Sequence, residues 1–268
     1  MELTLAAPTT KWPLATVIEY LSNQPYVDGI MQIGSLTTTT FSPTSDYDLV
    51  IVLRDAPVPW YVGVTSVDNR FTDLLFVNPT ALEHIAALST PVALNDSLTP
   101  IIRWLETGQI VFDRSDRLAK AQHHVRSMQW IDPVPDKDVF GAWFSTNYNL
   151  AQARRMLSAH VPLYQMTVDI RMALHGHMDV WYSYFTIRRI VDTGEKNAIR
   201  YLLAHDPDFL SEYRQFIHEI DRNAKFARYE KVAALALAPF GGLWAADTTA
   251  MNEDLMLTRW KSLFEMKA

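Results

Sequence analysis

The stretch Ile33-Gly34-Ser35-Leu36-Thr37-Thr38-Thr39-Thr40-Phe41-Ser42-Pro43-Thr44-Ser45-Asp46-Tyr47-Asp48-Leu49-Val50-Ile51-Val52-Leu53 joins a glycine-serine turn, a polar loop and two carboxylates that open an apolar run. The unbroken Leu, Val and Ile after Asp48 predict a strand buried on both faces. Successive side chains of a strand point to opposite faces, so Asp46 and Asp48 are expected to project the same way, about 6–7 Å apart at Cα. Two carboxylates held that close at the edge of a core repel each other unless a cation neutralises them. Mg2+ suits them, because it takes oxygen ligands and is commonly held by one or two carboxylates, waters and substrate phosphates. A third acid is expected on a neighbouring strand. Asp73 fits, since it interrupts the apolar run Phe71-Thr72-Asp73-Leu74-Leu75-Phe76-Val77, where a lone charge needs a partner.

Gly34 and Ser35 supply the other half of this expected site. A glycine lets the backbone approach a phosphate closely, and a serine offers a hydroxyl and an N–H to its oxygens. The Thr- and Ser-rich loop 36–45, Ser45 included, adds further donors. Two metal ions about 3.5–4 Å apart can both align an in-line attack and neutralise the charge that develops on a transferred phosphoryl group. Asp46, Asp48 and Asp73 are the expected metal ligands, with Asp73 also placed to take the proton of an acceptor hydroxyl.

Outward from this stretch, runs of β-branched and aliphatic residues predict strands over 29–33, 47–53, 71–77 and 109–112. A helix is predicted over 10–24, with Thr10 as N-cap and Pro13 in its first turn. Asn78-Pro79 and Thr99-Pro100 open two more, the second ending near Gly108. From Ser115 onward apolar residues recur at three and four spacing. Helices are predicted near 137–159, 162–192, 195–205, 207–227, 229–236 and 249–266. The two prolines of Trp130-Ile131-Asp132-Pro133-Val134-Pro135-Asp136 mark a link between halves. The expected class is α/β (α+β): a small mixed-sheet domain over 1–130 followed by a C-terminal helical bundle over 131–268.

The chain has 268 residues, 24 Lys and Arg against 30 Asp and Glu, and a formal net charge of −6, which argues against a phosphate backbone as principal partner. It contains no cysteine, which removes disulfides, thiolate zinc sites and a cysteine nucleophile. No segment reaches the eighteen or so apolar residues that span a bilayer, so a soluble, cytoplasmic protein is expected. There is no Gly-x-Ser-x-Gly elbow, Walker loop or dinucleotide fingerprint.

The pattern of Gly34-Ser35, a loop, Asp46-Tyr47-Asp48 in an apolar strand and a later acid resembles the nucleotidyltransferase superfamily of DNA polymerase β. Phe41-Ser42-Pro43 and Ser45-Asp46-Tyr47-Asp48 look like its small bacterial branch that modifies aminoglycoside and lincosamide antibiotics. The resemblance implies transfer of a nucleoside monophosphate, usually AMP from ATP, to a hydroxyl of a small molecule, with release of pyrophosphate. It assigns Asp46, Asp48 and Asp73 to the metal; the third position is glutamate in some antibiotic-modifying members. It also matches Gly194-Glu195-Lys196 to a helix start in relatives, where Lys196 either contacts the nucleotide's phosphates or is a solvated lysine. An antitoxin-like or regulatory nucleotide-binding protein that acts on a protein partner is the alternative. Arg171 and His177 stand at the spacing of the Arg-x5-His signature of helical HEPN ribonucleases, a reading that an acidic chain does not favour. Trp181, Tyr182, Tyr184 and Phe185 read chiefly as core.

Overall fold

A computed structural model describes residues 12–37, 42–191 and 194–245. The chain divides into two compact units, Met1–Pro133 and Val134–Ala268. The class is α+β, with a mixed sheet in the first unit and helices in the second, as the sequence predicts.

The first unit holds strands β1 (Val27–Ile33), β2 (Tyr47–Leu53), β3 (Trp60–Val67), β4 (Arg70–Val77) and β5 (Gln109–Asp113) in the order β3-β4-β2-β1-β5. β2 and β4 run parallel, and the other neighbours are antiparallel. Alternation sorts the side chains of the central strands onto two faces. Leu49 and Ile51 pack with Leu14, Ile18 and Leu21 of α1 (Leu14–Ser22). Val50, Val52, Leu75 and Val77 pack beneath α2 (Pro79–Ala86), α3 (Thr99–Thr107) and α4 (Arg117–Val125). The Asn78 side chain accepts the Ala81 N–H at 2.9 Å, so α2 starts where the Asn-Pro pair predicts. Thr10 lies outside the described residues.

β3 is a strand the sequence reading leaves out. Pro57 and Pro59 precede it, Gly63 interrupts it, and as an edge strand it is not buried on both faces. Its return to β4 is a two-residue hairpin in which Asp68 and Asn69 take positive φ of 53° and 58°.

The second unit comprises α5 (Asp136–Leu157), α6 (Pro162–Arg171), α7 (His177–Ile187), α8 (Glu195–His205), α9 (Pro207–His218) and α10 (Arg222–Leu237). Its core gathers Leu150, Met172, Tyr184, Phe209, Phe216 and Tyr229. The single helix predicted over 162–192 is interrupted by a π turn, Met172–Gly176. A side chain at Gly176 would stand 2.6 Å from the Phe216 ring, so the bare backbone there admits that ring. The helix predicted over 207–227 stops at His218, and α10 begins afresh because the Asp221 side chain accepts the Ala224 N–H at 2.9 Å. The helix predicted over 249–266 lies outside the described residues. Among the described residues, no helix is long and apolar enough to cross a membrane.

Candidate active site

The parallel pairing of β2 with β4 sets Asp48 directly beside Asp73 in register. Both continue the face that carries Val50, Val52, Leu75 and Val77, so the two carboxylates occupy the open end of the helix-covered face. Asp46 precedes β2 by one residue, and its charge reaches Asp73. Burial, and then the Asp46 charge, push the Asp73 carboxyl above the ordinary carboxylate range. Among the described residues, no three His, Asp or Glu side chains gather tightly enough to hold a metal ion by themselves.

Gly34 follows β1 directly, with φ of +66°. A Cβ there would stand 2.3 Å from Asp48 Oδ2. The glycine is therefore needed twice, for its left-handed backbone and for the space its missing side chain leaves to the Asp48 carboxylate. This links the Gly-Ser turn to the Asp-x-Asp run by contact. Gly34–Thr37 form one turn of 3-10 helix that includes the Ser35 backbone, and the Thr37 hydroxyl donates to the Gly34 carbonyl at 3.0 Å.

Ser45, expected among the phosphate donors, is buried. Its hydroxyl accepts the Ser42 N–H at 3.0 Å, and its own N–H donates to the Ser42 carbonyl at 3.0 Å, closing the turn ahead of Asp46. Lys196 stands exposed in the first turn of α8, an element of the second unit. Arg171 donates to Asn149 Oδ1 at 2.9 Å, whereas the His177 ring lies 4.7 Å from that of Phe216, so the two groups of the Arg-x5-His spacing are engaged with different partners.

A residue the sequence reading passes over is Arg70. Its Nη1 donates to the carbonyls of Ser42, Pro43 and Ser45 at 2.8, 3.0 and 2.9 Å, and its guanidinium lies 5.5 Å from the Tyr47 ring centroid. The start of β4 thereby grips the segment that delivers Asp46. Carbonyl partners leave no mark in a sequence, and the only available signal is an arginine heading an otherwise apolar strand.

The far end of the sheet carries a different charge cluster. Asp28 is 1% exposed and receives Ser115, Arg54 and Arg117, with Arg117 also paired to Glu83 at 2.8 Å. Burial alone would raise the Asp28 carboxyl, but these hydrogen bonds outweigh it and hold the group below the ordinary carboxylate range. With every acceptor already answered by a donor, the cluster fits a structural tie.

In the second unit, Tyr184 and Phe185 are buried in the core. Trp181 is half-buried against that core, and together with the exposed Tyr182 and with Leu203, Leu210, Arg214 and Ile217 it lines a groove of about 900 Å³.

No protein-family model matches the sequence, and no curated protein matches it. Among solved structures, the chain is similar to a nucleotidyltransferase-like protein from Exiguobacterium sibiricum 255-15, with 16% identity over 84% of this chain and 73% of that one and a TM-score of 0.37.

Proposed function

We propose that the chain is a Mg2+-dependent nucleotidyltransferase that moves a nucleoside monophosphate, AMP from ATP, onto a hydroxyl of a small molecule. The observation that carries this reading is the juxtaposition of Asp48 and Asp73 on adjacent parallel strands, with burial and the Asp46 charge both pushing the Asp73 carboxyl upward. Such an arrangement costs stability and is relieved by a divalent ion. Mg2+ needs only one or two protein carboxylates when phosphates and water complete its shell.

Asp46, Asp48 and Asp73 would hold the metal. When bound, it would neutralise the charge that develops on the transferred phosphoryl group. Asp73 takes the proton of the acceptor hydroxyl as the new O–P bond forms, and the bond between the α-phosphorus and its bridging oxygen breaks to release pyrophosphate. The backbone at Gly34 and Ser35 receives the phosphates, with Asp48 seated against the same glycine. Aminoglycosides and lincosamides are the acceptors that the sequence resemblance brings forward.

Pyrophosphate release with Mg2+, each of the four triphosphates and a panel of such acceptors tests this reading. Asp48→Asn should lower turnover by about 100-fold or more, as expected when a group that stabilises transition-state charge is removed. Turnover of the variant at the parent rate would contradict it.

A further inference from the structure

The order of the strands sets an axis across the site. From one side to the other, the open end of the sheet presents Gly34 beyond β1, Asp48 in β2, Asp73 in β4 and Val64 in β3, where Val64 is the register partner of Asp73. With neighbouring strands about 4.8 Å apart, this row spans about 14 Å. On the nucleotidyl-transfer reading, on which this inference rests, the phosphates lie on the Gly34 side and the reacting hydroxyl meets Asp73. The body of the acceptor then extends outward over β4 and β3.

What lies there is apolar. Val64 opposite Asp73, Phe71 two residues before it, and Val62 opposite Leu75 all share the carboxylate face, and they are 56%, 59% and 51% exposed. Single exposed apolar residues are ordinary, but three that adjoin on one face beside paired carboxylates form a patch. Edge strands usually carry charge to discourage pairing, and Val62, Val64, Ser66 and Phe71, the side chains outward of Asp73 on this face of β3 and β4, carry none. A polycation would need carboxylates along its length, which this ledge does not offer.

The geometry points to an acceptor with an apolar face beside its reacting hydroxyl, an alkyl- or aryl-bearing sugar or alcohol, seated on Val62, Val64 and Phe71. The Phe71 ring gives a flat surface for the C–H face of a sugar, and the two valines take the alkyl or aryl group.

Calorimetry of the full chain with Mg2+ and a non-hydrolysable ATP analogue tests this, first for the nucleotide alone and then with methyl, butyl and hexyl glucosides and a tetracationic aminosugar. Affinity should rise along the glucoside series by about twofold per methylene, the value for partial burial, and exceed that of the aminosugar. Phe71→Ala and Val64→Thr, both at exposed positions, should each weaken the hexyl glucoside about fivefold while leaving the nucleotide affinity within twofold. Equal binding of methyl and hexyl glucosides, no glucoside binding, a preference for the aminosugar, or indifference to both substitutions would overturn the inference while leaving nucleotidyl transfer standing. Failure of the unsubstituted chain to bind the nucleotide with Mg2+ would instead sink the transfer reading, and this inference with it.

Discussion

At the scale of the residue, the role proposed for Asp73 is opposed to stability. Its carboxyl is partly withdrawn from water and faces the Asp46 charge, and both effects disfavour its ionised form. Replacing it with asparagine removes the repulsion while keeping the shape, so Asp73→Asn should raise stability by about 0.5–1 kcal/mol as it abolishes transfer. A divalent ion should supply the same relief to the unsubstituted chain, raising its midpoint of thermal unfolding, and should do much less for the variant. Melting curves with and without Mg2+ read both effects. Equal Mg2+ shifts in the two proteins would show that the ion does not sit at Asp73. The acids were legible in the sequence for the same reason that they are costly: a charge inside an apolar run stands out. The contact of Asp48 with Gly34 was not legible, because it depends on a backbone turn that brings residues fourteen apart together.

At the scale of the element, the site depends on how the segment before β2 is tied to the start of β4. Arg70 makes that tie through three backbone carbonyls, and it acts as a positioning residue for Asp46. Arg70→Gln loses the charge and most of the donors, so the concentration of Mg2+ that gives half-maximal activity should rise by about tenfold, with Arg70→Lys intermediate. An Mg2+ titration of Arg70→Gln that overlays the parent curve would remove Arg70 from the site. The elements themselves were unevenly legible. β2 and β4 announced themselves through continuous aliphatic runs. β3 hid because its outward residues break the pattern, although Asp68-Asn69 between Val67 and Arg70 is a hairpin signal that could have revealed it. The π turn at Met172–Gly176 and the new start at Asp221 were hidden because helical periodicity passes through both and carries neither the close approach of the Phe216 ring to Gly176 nor the Asp221 cap.

At the scale of the whole molecule, each unit has its own core: among the described residues, the clusters around the sheet draw on the first unit, and that around Tyr184 and Tyr229 on the second. The Asp28 cluster belongs entirely to the first, so acid should act on the two cores differently. Asp28 titrates below its usual value of 3.8 in the folded state, which means the unfolded chain binds the proton more readily. Its stabilisation is therefore complete at neutral pH, begins to fall near pH 4 and is lost as pH drops through the folded value. Asp28→Asn should cost the first unit about 2–3 kcal/mol at pH 7, the scale of hydrogen bonds to a buried charge, and the difference from the parent should shrink steadily as pH falls below the ordinary value of 3.8. Hydrogen exchange resolves the two cores: amides of β1 and β2 should lose protection in the variant, while those of α7 and α10 keep it. A gap between variant and parent that does not narrow as pH falls, or equal loss of protection in both units, would show that the Asp28 carboxylate is not what holds the strand ends of the first unit together.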